Sequence, residues 1–163
     1  GFFLAVLRKK DGTEWISKGK DRREMPNKNE TARLRKFIPD ESLQFIRLQE
    51  WTHVMPAHLL SDLLVLKNYL YLKKAGVMAG KMGSEEWIPD HELALCTGLN
   101  PQTPELELSG SDALKYLRRE ALNPDVQMKG WLPVSYQRQK LGWVKMLANR
   151  LNNYYPKSWR ILK

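Results

Sequence analysis

Apolar positions in this chain fall into short runs broken by charges, glycines and prolines. Residues 2–7 are continuously apolar and are closed by Arg8, Lys9 and Lys10, which predicts a buried strand. A strand at the first residue needs neighbours, so the opening predicts a domain upstream of it. Asp11-Gly12 signals a turn, and residues 17–30 are almost wholly polar, as in a linker or long loop. Asn29 is positioned to cap a short helix running through Ile38 and stopped by Pro39. Residues 43–48 and 51–55 predict two strands, the second ending at Pro56. Residues 63–72 are rich in Leu, Val and Tyr and fit helix or strand by pattern alone. Residues 75–81 hold too much glycine for a helix interior and predict a strand whose backbone is closely approached.

Residues 89–95 predict a short helix with Gly98 at its C-terminal end. Ser109 and Asp112 have capping-box spacing, and Leu114, Leu117 and Ala121 give the following helix an apolar stripe that Asn123-Pro124 ends. Residues 131–136 and 141–147 then flank a cationic turn at 137–140, a hairpin pattern. Many short strands among short helices predict an α+β fold, a small mixed β-barrel. The chain divides into the opening strand (1–10), a linker or long loop with a short helix (11–40), and two halves of the barrel region (41–110 and 111–163).

Charge sharpens this picture. The chain of 163 residues is 42% apolar, enough for a real core, and carries a formal charge of +9. Residues 1–40 hold 11 bases and 6 acids, residues 41–110 hold 5 and 9, and residues 111–163 hold 11 and 3. The ends are positive and the middle is acidic, which suits a phosphate-bearing partner on one face or simply a solvated basic surface. The single cysteine, Cys96, excludes a disulfide framework and implies a reducing compartment, the cytoplasm. No apolar run approaches the ~18 residues of a membrane span.

Catalytic and metal chemistry finds little support. His53, His58, His91 and Cys96 lack zinc-ligand spacing and read as ordinary side chains. Cys96 sits in an apolar setting and reads as packing rather than nucleophile. Glu85, Glu86, Asp90 and Glu92 read as a solvated acidic loop rather than a glycosidase pair. Gly76, Gly80, Lys81 and Gly83 fall short of any phosphate-loop pattern. They read as a bending strand, or as a backbone surface for RNA with Lys73, Lys74 and Lys81 around it.

The richest segment is residues 130–163. Arg138 and Lys140 lie at the hairpin turn; Lys145, Arg150, Lys157 and Arg160 follow, with Tyr154, Tyr155 and Trp159 between them. Phosphates need cations and unpaired bases need flat rings. Asn152 and Asn153 supply amides that read base edges or close a turn. The competing reading makes Trp131, Trp143 and Trp159 core and the tyrosines packing.

The opening Gly1-Phe-Phe-Leu-Ala-Val-Leu-Arg-Lys9 resembles the last catalytic-domain strand of the Sun-type RNA 5-methylcytosine methyltransferases. Leu141-Gly142 and Arg150-Leu151-Asn152-Asn153-Tyr154-Tyr155-Pro156 resemble the C-terminal extension of their bacterial ribosomal-RNA members. The helix start at Ser109, residues 76–81 and the Gly130-Trp131 strand fall in matching order. The family pattern has Lys where this chain has Asn152. The resemblance implies a PUA-like RNA-binding module. Its parent enzyme would use S-adenosylmethionine and a Pro-Cys cysteine, whereas Cys96 is not preceded by Pro. It implies no catalysis and no cofactor or metal in this fragment. The expected partners are ribosomal RNA and the catalytic domain in cis.

The phosphate-contact candidates are Lys73, Lys74, Lys81, Arg118, Arg119, Arg138, Lys140, Lys145, Arg150 and Lys157, and Tyr154 or Tyr155 is the stacking candidate. This requires the C-terminal cations to share one face. The alternative is a structural or protein-interaction domain that packs on the catalytic domain without touching RNA, and an independent hydrolase is a distant third.

Overall fold

The computed structural model describes residues 25–123, 128–148 and 150–162. The strand, turn and polar stretch expected before residue 25, and Pro124, lie outside the described residues.

The first half begins with α1 (Lys28–Phe37), two residues earlier than Asn29 suggested. Asn27 is the cap: its Oδ1 accepts from the Glu30 N–H at 2.9 Å, and Glu30 Oε2 accepts from the Asn27 N–H at 3.0 Å. Strands β1 (Leu43–Leu48) and β2 (Trp51–Pro56) form a hairpin. The ambiguous Leu-rich stretch is helix α2 (Leu60–Tyr69), entered through one tight turn at Ala57–Leu59. Strands β3 (Val77–Met82) and β4 (Trp87–Pro89) complete an antiparallel sheet ordered β1-β2-β3-β4. A Cβ on Gly80, whose φ is +142°, would run into the Ile88 carbonyl. The close approach predicted for this strand is therefore made by β4.

Helix α3 (His91–Leu95) follows, capped by Asp90, and its end is set by Cys96 rather than Gly98. Strand β5 (Leu106–Glu107), helix α4 (Gly110–Arg118), and strands β6 (Gly130–Tyr136), β7 (Gln139–Met146) and β8 (Leu151–Asn153) make the second half. The second sheet is ordered β5-β6-β7-β8, with β5 parallel to β6 and the other pairs antiparallel. The α+β class holds, but the described strands form two four-stranded sheets and not one closed barrel.

Helix α4 departs from its expected stripe. Ser109 Oγ accepts from the Asp112 N–H at 3.2 Å, as its spacing predicted. Yet Ala113 and Tyr116 face the core, Leu114 is exposed, and the helix ends at Arg118. The end is imposed by Arg119, which turns left-handed (φ 60°) while its N–H bonds back to the Lys115 and Tyr116 carbonyls.

A buried tryptophan runs from one half into the core of the other. Trp143, on β7, is 1% exposed and belongs to the same core cluster as Leu34, Phe45, Val54, Ala79, Trp87 and Leu93 of the first half. Its ring meets Phe37 edge-on at 5.5 Å, and its Nε1–H donates to the Asp90 carbonyl at 2.8 Å. A Cβ on the preceding Gly142 (φ +145°) would strike the Tyr116 hydroxyl, so β7 lies tightly on α4 at this point. Burial of a large aromatic stabilises by several kcal/mol. Trp143→Ala is expected to destabilise by about 3–5 kcal/mol, and Trp143→Phe by about 1–3 kcal/mol through the unpaired Asp90 carbonyl. Denaturant titration of both variants checks the order.

Candidate nucleic-acid interface

The hairpin and tail arise from simple local rules. β6 and β7 join through Gln137 and Arg138, both left-handed (φ 48° and 64°), the mirror-image turn that matches strand twist. Arg138 is exposed at that tip. β8 pairs with residues 144–146 at the other end of β7, about 20 Å away at the usual rise per residue. Arg138 and the tail therefore do not share one patch.

Several candidate cations are held by carboxylates. Lys74 Nζ lies 2.7 Å from Glu92 Oε1, and Lys81 Nζ lies 2.8 Å from Glu50 Oε2 and 4.6 Å from the Trp51 ring centre. Lys140 pairs with Glu105, and Lys145 pairs with Glu86 while also facing the Trp131 ring. These pairs link neighbouring elements, and exposed pairs of this kind contribute up to ~1 kcal/mol each. The acidic middle thus neutralises part of the basic end. Of the four carboxylates read as a solvated loop, Glu86, Asp90 and Glu92 are in fact structural: Glu86 pairs with Lys145, Asp90 caps α3, and Glu92 accepts from the Met78 N–H at 3.0 Å.

A different subset converges. Arg119, Asn152, Asn153, Tyr154 and Lys157 line one cleft of about 640 Å³ between the end of α4 and β8, with Glu120, Ala121 and Leu151. A neighbouring depression shares Glu120 and adds Arg118, Arg160, Ile161 and Leu162. Arg118 and Lys157 are exposed and, with Arg150 at the β7–β8 turn, make no ion pair among the described residues. Arg119 donates from its guanidinium to the Tyr155 carbonyl, which anchors the tail against α4. Its left-handed backbone is where a glycine is usual, so this guanidinium is held at a cost of about 1–2 kcal/mol.

Two of the expected contacts are turned inward. Asn153 donates through Nδ2 to the Tyr116 carbonyl at 2.8 Å and accepts from the Tyr155 N–H at 2.9 Å. Its amide closes the turn, the second of the roles open to it. Tyr155 is half-buried against the rings of His91 and Tyr116, each at 5.5 Å. Tyr154 is 41% exposed and packs across Trp131 at 4.3 Å, so it is the tail tyrosine with free area at the cleft. Of the three tryptophans, Trp143 is core, Trp131 is half-buried, and Trp159 is 58% exposed beside His91. Arg160, not among the strongest sequence candidates, lies one depression away from the cleft; its place in the cationic tail was the available signal.

Lys73 is exposed on a separate face, near the end of α2, and lines another depression there. Among the described residues no three His, Cys, Asp or Glu side chains gather as a metal site, and no helix is long and apolar enough to cross a membrane. Cys96 is half-buried, with its sulfur accepting from the Gly98 N–H at 3.3 Å.

Two sheets, a helix ending in a cationic turn, and a basic tail folded back on that helix make a mixed α+β arrangement that fits a PUA-like domain. Residues 103–161, from before β5 to beyond β8, match the family model described as the Methyltransferase RsmF PUA domain. The match covers the second sheet and α4, and not the first half of the chain. No curated relative matches the chain.

His53 and His91 are both pulled below the ordinary imidazole range, chiefly by burial. Each folded-state pKa is below its unfolded value, so the stability they contribute is complete above about pH 6.5 and is lost as pH falls through the folded values. Asp90, raised chiefly by burial, acts in the carboxylate range below that window. Unfolding measured between pH 7.5 and 5.5 is expected to show falling stability, by up to ~1.4 kcal/mol per pH unit for each histidine. His91→Gln should flatten that slope.

Proposed function

We propose that this chain docks structured ribosomal RNA for the catalytic domain of a cytosine-5 methyltransferase and performs no chemistry of its own. The PUA family is generally RNA-binding and non-catalytic, and residues 103–161 match it. The single observation that carries the reading is the cleft at the end of α4, where Arg119, Asn152, Tyr154 and Lys157 meet. Arg118 and Arg160 extend its positive rim through the adjoining depression. Mobile cations around an accessible ring suit a phosphate backbone with one base drawn against the tyrosine. The parent's cofactor, S-adenosylmethionine, would belong to the catalytic domain and not to this cleft.

Phosphate neutralisation makes binding salt-dependent, with a log–log slope of about −0.7 to −0.9 per contact. Lys157→Ala and Arg118→Ala are each expected to weaken binding of an RNA hairpin across sequences and to reduce the slope by about one contact. Glu120→Gln removes the carboxylate in the cleft and is expected to tighten binding severalfold at low salt. Lys140→Glu and Lys145→Glu break ion pairs with Glu105 and Glu86, so they should lower stability and leave RNA affinity near wild type. Fluorescence anisotropy over a salt series checks the affinities of all five variants, and denaturant titration checks the stability of the last two. If charge changes at the cleft leave hairpin affinity unaltered, the domain packs structurally and does not dock RNA.

A further inference from the structure

A second depression, of about 410 Å³, opens on the far side of the first sheet from the residues above. It lies where the chain leaves α2 and crosses β2, and its walls include Trp51, His53, Lys67, Tyr71, Lys73 and Met78. Among the described residues no carboxylate lines it, in a region whose overall charge is negative. Tyr71 is 81% exposed, and Leu70 beside it is 56% exposed. Rings of this size do not stay in water for lack of a core, because Leu60 and Leu63 of the adjacent helix are buried.

The floor is more telling. His53 is only 4% exposed, yet its Nδ1 has no hydrogen-bond partner among the described residues. Burial pulls the imidazole below its ordinary range and keeps it neutral. A neutral imidazole that donates from one nitrogen accepts at the other. A buried acceptor left unpaired is unfavourable, and a ligand donor would satisfy it. An apolar wall, an exposed phenol, the exposed Lys73 and one unpaired ring nitrogen together suit a flat heterocycle carrying a phosphate.

We propose that this depression is a binding site for a single unpaired nucleotide, with the base against Tyr71 and Trp51, a base N–H directed to His53, and the phosphate near Lys73. It rests on the RNA reading of the chain for the identity of the polymer, but it uses none of the cleft residues.

The test is anisotropy with the full chain and two probes: a blunt RNA hairpin, and an unstructured ten-nucleotide RNA of mixed sequence. Tyr71→Ala, an exposed position, is expected to weaken the single strand by at least about fivefold and to leave the hairpin within about twofold. Tyr71→Phe should restore single-strand affinity, because stacking needs only the ring. A 4-thiouridine version of the strand should crosslink at Tyr71 or Trp51. If Tyr71→Ala leaves the single strand within twofold of wild type, or crosslinks fall only within residues 118–160, the proposal is overturned and the apolar strip is left to a protein partner. Single-strand binding sensitive to Tyr71, with hairpin binding indifferent to Lys157 and Arg118, would instead overturn the docking cleft and spare this site.

Discussion

The carbonyl and indole of Trp143 hold this molecule together. The indole enters the first-half core and donates to Asp90; the carbonyl accepts from the Tyr116 hydroxyl and from the Tyr154 N–H, both at 3.1 Å. One residue of β7 thus fixes α3, α4 and the start of the tail at once. Burial pushes the Tyr116 phenol well above its ordinary range, so its hydroxyl keeps the proton it donates. The cleft inherits its shape from this arrangement, since its two walls are the end of α4 and the strand that follows β7.

Around that centre, charge is divided between structure and surface. Lys140 and Lys145 project from the hairpin toward carboxylates of β5's approach and the β3–β4 loop, and they are spent in joining segments. Arg118, Arg150, Lys157 and Arg160 lie where the chain turns or ends an element, and they are exposed. A count of bases along the sequence cannot separate these groups, because pairing depends on which acidic segment folds beside which basic one. The same reasoning applies to the two tail asparagines: adjacent in sequence, they alternate in strand β8, and Asn153 is the one turned onto α4.

Much of the fold was legible. Glycine, proline and apolar spacing marked β1, β2, β3, the β6–β7 hairpin and the Ser109 cap, because those signals are local. The failures came where distant residues decide. Asn27 outcompeted Asn29 as a cap because Glu30 returns the hydrogen bond, a reciprocal signal hidden in a polar stretch. The stripe of α4 was misplaced because Tyr116, with a polar hydroxyl, is fully buried once Trp143 offers it a carbonyl. The barrel did not close among the described residues because the strands divide at the loop between α3 and β5. The candidate cleft was half legible: Arg119, Asn152, Tyr154 and Lys157 were named, but no pattern distinguished them from Lys81 or Lys140. Tyr71 carried no signal, since the stretch after α2 reads as more apolar helix or strand, and His53, without zinc-ligand spacing, read as an ordinary side chain.

The Trp143 carbonyl, shared between a helix hydroxyl and a tail amide, makes the shape of the cleft and the folding of the core interdependent. A change at Phe37 or Asp90, remote from any RNA, would tilt the indole and with it the register of Tyr154. Under the proposed docking role, genetic screens for lost affinity should therefore recover interior substitutions alongside surface ones, and the interior class will be misread as contacts unless stability is scored in parallel.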